Sequence, residues 1–144
     1  MIRHAGMVAR WGPAGWRGVL IEGPSGAGKS DLALRALERD FRLVADDRVI
    51  LWVSGGRLFG CAPDPLRDLV EVRGLGVLAE PALAFAEVAL AIRSGVPERM
   101  PDPQALEVLG VRIPLLVADL REPSAPAKLS RALDAFDVGL KRRI

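Results

Sequence analysis

The run RGVLIEGPSGAGKSDLALRAL, residues 17 to 37, leaves this chain few ways to fold. Its opening, RGVLIE, is a short run of leucine and β-branched residues closed by glycine, the pattern of a buried strand. From Lys29 to about Arg39 the pattern turns helical, with Leu32, Ala33, Ala36 and Leu37 on one face. Between the two lie Gly23, four residues, then Gly28, Lys29 and Ser30, so a strand must pass through a glycine-rich loop straight into a helix. That geometry suits phosphate. Glycine lets the backbone turn its amide groups inward where a side chain would block the approach. The loop Gly23, Pro24, Ser25, Gly26, Ala27, Gly28, Lys29 and Ser30 is therefore read as a nucleotide-phosphate cradle. The helix N-terminus adds partial positive charge, Lys29 reaches the β and γ phosphates, and the Ser30 hydroxyl is placed to ligate magnesium. A glycine-rich turn that binds nothing would have no use for Lys29 and Ser30 together.

Size limits how elaborate the remainder can be. At 144 residues, half of them hydrophobic, the chain has the length of one domain with a single core. No stretch of about 18 uninterrupted apolar residues occurs, and the N-terminus lacks a charged-then-apolar leader pattern. A soluble, cytoplasmic protein with no membrane partner is expected. The one cysteine, Cys61, cannot close an internal disulfide, which fits a reducing compartment. No neighbouring base or cation marks it as a reactive thiol, so it reads as a small core residue. The net charge is +2, with basic residues scattered apart from KRR at 141 to 143. A nucleic-acid groove would carry a stronger basic stripe, so none is expected, and KRR reads as a solvated terminus.

Further along, FRLVA (41 to 45) and RVILWV (48 to 53) have strand character, and SGG (54 to 56) turns the chain into RLFGCA. EVALAIR (87 to 93) alternates Val88, Leu90 and Ile92 against small residues. VRIPLLVADL (111 to 120) is another apolar run, and Pro114, lacking an amide hydrogen, places that strand at an edge or at a bulge. A closing helix is predicted from about Ala125 to Phe136, with Leu129, Leu133 and Phe136 inward. Together these make an α/β fold, a mixed sheet with flanking helices.

A phosphate loop specifies a nucleotide without specifying its use. The guanine-reading Asn/Thr-Lys-x-Asp segment of GTPases does not occur. The carboxylate pair Asp46 and Asp47 ends the FRLVA run, and it falls near the loop if that strand neighbours RGVLIE in a parallel sheet, because ligands gather at strand carboxyl ends. One such carboxylate commonly holds magnesium through water, and the second is free to accept the proton of an attacking hydroxyl. Read locally, two aspartates before a strand are also an ordinary turn.

GPSGAGKSDLALRALERDFRLVADDRV, followed by EVRGLGV at 71 to 77, resembles the catalytic domain of the HPr kinase/phosphorylase family. The resemblance runs from about His4 to Gly76 and more loosely through Arg99 and Pro114. EVRGLG is its most discriminating piece, because ordinary P-loop kinases have nothing like it. The resemblance implies a P-loop kinase core similar to phosphoenolpyruvate carboxykinase, ATP and magnesium as cofactors, and a serine of the phosphocarrier protein HPr as acceptor. It implies that Lys29 contacts phosphate, that Ser30 and Glu71 help bind magnesium, and that Asp47 is the base taking the serine proton, which leaves Asp46 as the carboxylate of the pair that serves the metal. Arg73 should face the reacting phosphates. His4 matches a catalytic histidine, although its place in a terminus prone to fray leaves a surface histidine open. Arg99 matches an arginine of a later loop, and read alone it is a solvated loop residue.

The departures bear on function as well. The family's long form has a separate N-terminal domain, and this chain starts at the catalytic core, like the short forms of α-proteobacteria. Near its C-terminus the long form carries Pro-x-x-x-Gly-Arg-Asn, linked to dephosphorylation. The corresponding stretch here reads PLLVADLREPSAP. Kinase activity is therefore expected over phosphorylase activity. A homo-oligomer is implied, a hexamer in the full-length members. A small-molecule kinase and an ATP-sensing module without transfer activity remain as other readings.

Overall fold

Apolar runs along this chain are short and broken by glycine, proline and paired charges, and nearly all of them become strands. The computed structural model describes residues 1–137. The elements are β1 (Ile2–Arg3), β2 (Gly6–Gly12), β3 (Gly15–Glu22), α1 (Lys29–Leu37), β4 (Phe41–Ala45), β5 (Val49–Ser54), β6 (Arg57–Cys61), β7 (Leu69–Val72), β8 (Gly76–Ala79), β9 (Ala86–Ser94), β10 (Gln104–Val108), β11 (Val111–Ala118) and α2 (Ala125–Asp137). All the strands except β7 and β8 join one nine-stranded mixed sheet, and those two pair as a separate hairpin.

The main sheet runs β1-β5-β6-β9-β3-β2-β4, and β11 also joins β9, with β10 outside it. The expectation that β4 neighbours β3 is corrected here. Strand β2, unrecognised from sequence, lies between them and is antiparallel to both. Two antiparallel steps leave β3 and β4 running the same way, so their carboxyl ends still share one edge. The expectation that Pro114 places its strand at an edge or a bulge is corrected too, because β11 lies between β10 and β9. Pro114 faces Ala105 of β10, while pairing with β9 starts only at Leu115, so on one side the missing amide breaks no ladder.

Both helices cover one sheet face, where Val19, Ile21, Leu90 and Ile92 meet Leu32, Ala36, Leu129 and Leu133. The other face curls, and its core is closed by strand residues, among them Met7, Leu20, Leu51, Leu58, Val88 and Ile113. A slip in register pairs Gly18 with Val88 but Val19 with Leu90. The bulge sends Val88 to one face and Leu90 and Ile92 to the other, breaking the alternation expected along that strand. Phe136 also departs from expectation. Leu129 and Leu133 are buried, but Phe136 is 37% exposed, in a groove beside β10 and β11. Among the described residues no helix is long and apolar enough to cross a membrane. The triplet at 141 to 143 lies outside the described residues.

Candidate active site

The loop between β3 and α1 needs glycine at two positions for different reasons. Gly28 caps α1 at φ 104°, in the left-handed region that side-chain-bearing residues rarely adopt. A Cβ on Gly23 would lie 2.9 Å from the Ser94 Cβ, so β9 can approach the loop only because that atom is missing. Lys29 is largely buried and folds back over the loop, its ammonium donating to the carbonyls of Gly23 (2.7 Å) and Pro24 (3.1 Å).

The two aspartates at the end of β4 have different surroundings. Asp46 is buried. Its Oδ1 accepts from the Ser30 hydroxyl at 2.8 Å, and its Oδ2 accepts from the Glu71 backbone N–H at 2.8 Å. One carboxylate thus ties α1 to the β7–β8 hairpin. Asp47 is exposed, and its backbone forms a turn. Its φ is +69°, and the Arg48 N–H closes onto the Asp46 carbonyl two residues back at 2.8 Å. This is the rarer, strained hand of the three-residue turn, and such backbone strain gathers at functional positions. Asp47 Oδ1 lies 2.8 Å from His4 Nε2, and Arg48 Nε is 3.8 Å from Oδ2.

His4 does not sit on a fraying end. Strand β1 pairs with β5, and the Ala5 N–H donates to the Asp47 carbonyl at 3.1 Å. Beside it, the buried Glu22 carboxylate is paired with both Arg3 and Arg93. The histidine is therefore anchored to the strand that leads into the phosphate loop.

These parts surround a cleft of about 520 Å³ that includes His4, Lys29, Ser30, Asp47, Glu71 and Arg73 together with Ser25, Gly26 and Gly28. Asp46 lies beneath it. Arg99, expected as a site residue, does not line the cleft; it belongs to the segment between β9 and β10. Sequence reading missed Asp31, Leu34 and Arg121, all of which line it. Arg121 had a usable signal: it follows the carboxyl end of β11 by three residues, where ligands gather.

Among the described residues no three His, Cys, Asp or Glu side chains are gathered as a metal cluster. Ser30, with Asp46 behind it and Glu71 opposite, is an oxygen set of the kind magnesium accepts when phosphates and water supply the remaining ligands. Cys61 is half-buried outside the cleft, and burial raises its thiol above the ordinary value, which favours the structural reading.

A family model described as the HPr Serine kinase C-terminal domain matches residues 14–87, just over half of the chain and most of this site. The chain belongs to that family. The HPr kinase/phosphorylase of Brevibacillus brevis is 34% identical over 140 residues, covering 87% of this chain and 45% of that protein. That of Xanthomonas campestris pv. campestris is 55% identical over 62 residues, 42% of this chain and 20% of that protein. The chain thus spans less than half the length of these curated relatives. A solved structure of the Hpr(Ser) kinase/phosphatase from Coxiella burnetii superposes with a TM-score of 0.80 at 24% identity, covering 96% of this chain and 97% of that one. At that identity the likeness speaks for the fold, the mixed sheet with helices on one face.

Proposed function

We propose that this chain is an ATP- and magnesium-dependent protein serine kinase whose acceptor is a serine of the phosphocarrier HPr, acting in the control of carbohydrate uptake and metabolism. The observation that carries the reading is Asp47, held in a strained turn at the mouth of the phosphate-loop cleft with His4 at 2.8 Å. Family membership supports it, since the relatives that match are named HPr kinase/phosphorylase.

The Asp47 carboxylate takes the serine proton as the hydroxyl oxygen attacks, and His4 orients that carboxylate. Lys29 leaves the Gly23 and Pro24 carbonyls to meet the β and γ phosphates. Arg73, on the turn of the hairpin, faces the transferred group and stabilises the charge on its equatorial oxygens. Ser30 would hold magnesium directly, Asp46 would fix Ser30 and a bound water, and Glu71 would complete the set. Magnesium supplies charge neutralisation between the phosphates. Docking of a protein acceptor closes the cleft to water, without which hydrolysis competes with transfer.

Incubation of HPr with labelled ATP tests the reading directly. Label should pass to a seryl residue of HPr. Transfer to a metabolite instead would make the chain a small-molecule kinase, and ATP binding without transfer would make it a sensing module. The forward direction is favoured over the reverse because PLLVADLREPSAP lacks the glycine-arginine-asparagine order of the long form. Serine-phosphorylated HPr given inorganic phosphate should release little pyrophosphate, and rapid release would overturn that preference. The proposal includes a cytoplasmic site of action and a homo-oligomer, the latter open to sedimentation at working concentration.

A further inference from the structure

The phosphate loop receives a second cation from the far end of the chain. Arg121 lies 95 residues beyond Gly26, yet its guanidinium donates through Nη2 to the Gly26 carbonyl. Its stem lies so close against Gly28 that a Cβ there would sit 2.9 Å from the Arg121 Cγ and 3.3 Å from its Nε. Glycine at the helix cap therefore makes room for this arginine as well as for the turn.

The backbone under Arg121 is held on both sides. The Asp119 carboxylate accepts from the Arg121 N–H at 3.0 Å. Leu120, fully buried, roots the turn in the core. Arg35, half-buried on α1, donates to the carbonyls of Leu120 and Glu122, the residues on either side of Arg121, the second at 3.0 Å. Arg35 is itself steadied by Asp31 at 2.9 Å. The helix whose N-terminus forms the phosphate cradle thus fixes the turn that carries Arg121, leaving only its side chain free to move.

Lys29 and Arg121 share one posture. Each donates to carbonyls of the same loop, Lys29 to Gly23 and Pro24, Arg121 to Gly26, and each also borders the cleft. A carbonyl is a weaker partner for a cation than a phosphate oxygen, because the phosphate oxygen carries charge itself and a guanidinium can grip two such oxygens at once. We propose that Arg121 is a phosphate ligand of the nucleotide site, exchanging the Gly26 carbonyl for a phosphate oxygen, and that Arg35 is the residue that positions it. The inference rests on the nucleotide reading above and adds to Lys29 and Arg73 a further guanidinium bordering the same cleft.

Calorimetric titration with inorganic tripolyphosphate and with ATP, both with magnesium, tests the proposal without any turnover. Arg121→Met keeps the stem against Gly28 and removes the charge. It should weaken tripolyphosphate and ATP alike by about tenfold to a hundredfold, the range for a hydrogen bond to a charged group, and Arg121→Lys should recover part of the loss. Arg35→Met should weaken both by less, and should add little in an Arg121→Met background, because the two act through one contact. If Arg121→Met binds tripolyphosphate as the parent does and only melts at lower temperature, Arg121 merely braces the loop and the proposal is wrong. Additive losses for Arg35 and Arg121 would remove the positioning role. Should the parent chain bind neither ligand while remaining folded, the nucleotide reading fails and carries Arg121 with it; loss confined to Arg121→Met with normal binding by Arg121→Gln would refute the charge argument alone.

Discussion

One wall of the cleft is the phosphate loop with α1, whose inward residues Leu32, Ala33 and Ala36 are fully buried and whose reactive groups are cross-braced by Lys29, Ser30 and Asp46. The facing wall is the β7–β8 hairpin, a two-stranded sheet of its own, with every residue of β8 exposed and Leu75 and Val77 left open at 74% and 64%. A two-stranded ribbon has little stability by itself. This one is held at its base, where the Asp68 carboxylate and carbonyl accept from the N–H groups of Ala82 and Glu80, by Val70, buried where β7 packs against α1, and in the cleft, where Glu71 donates to Asp46. The groups that must meet phosphate accurately are on the braced wall. Glu71 and Arg73, proposed to complete the magnesium set and to face the transferred group, are on the more exposed wall.

That contrast predicts the most damaging change on the braced side. Asp47→Asn should lower transfer to HPr by about a hundredfold or more while ATP binding persists, because the proton acceptor is lost. The backbone should survive, since asparagine tolerates positive φ better than most residues. Normal transfer by this variant would take the base role from Asp47. Lys29→Ala should be comparably damaging, with transfer reduced by about a hundredfold through loss of one preorganised donor. Its melting temperature should change little, and a large drop would show that the carbonyl contacts of Lys29 stabilise the fold.

The next pair separates the walls. Asp46→Ala removes both acceptor oxygens, so the Ser30 hydroxyl and the Glu71 N–H lose their shared partner and the tie between walls is cut. We expect a loss of about tenfold, in the range for an unsatisfied buried group, partly recovered by raised magnesium. Glu71→Ala leaves its backbone N–H in place, so it should raise the magnesium requirement without loosening the hairpin. Equal effects of the two on hairpin amide exchange would contradict the bridging role of Asp46.

How much of this was legible in the sequence follows the same division. The loop, α1 and β4 are read correctly because glycine, capping and periodicity act within a few residues. The turn at Asp46 and Asp47 is also among the local readings, because two aspartates before a strand are an ordinary turn. What escapes is non-local. GMVARWG becomes a central strand only because β3 and β4 both pair with it, and nothing in its own pattern announces two partners. Arg121 reaches Gly26 only through the β9–β11 pairing that brings the two ends of the chain together. Phe136 shares the helical stripe of Leu129 and Leu133, but it lines the groove beside β10 and β11, and sequence spacing cannot tell a core from a groove.

The smallest effect is expected on the outer face of the hairpin, and it measures the contrast most directly. Val77→Thr keeps the branch at Cβ, so strand preference changes little, and a side chain at 64% exposure has little packing to lose. Its unfolding free energy should stay within about 0.5 kcal/mol of the parent, as for surface changes generally. Leu32→Ala on the opposite wall, at a fully buried site, should cost about 2–5 kcal/mol. Denaturant titration of both variants gives the ratio. A loss above about 1 kcal/mol for Val77→Thr would mean that the hairpin is packed in solution as firmly as α1. In that case Glu71 and Arg73 would be set as rigidly as Lys29, and any adjustment to the acceptor would have to come from the acceptor itself.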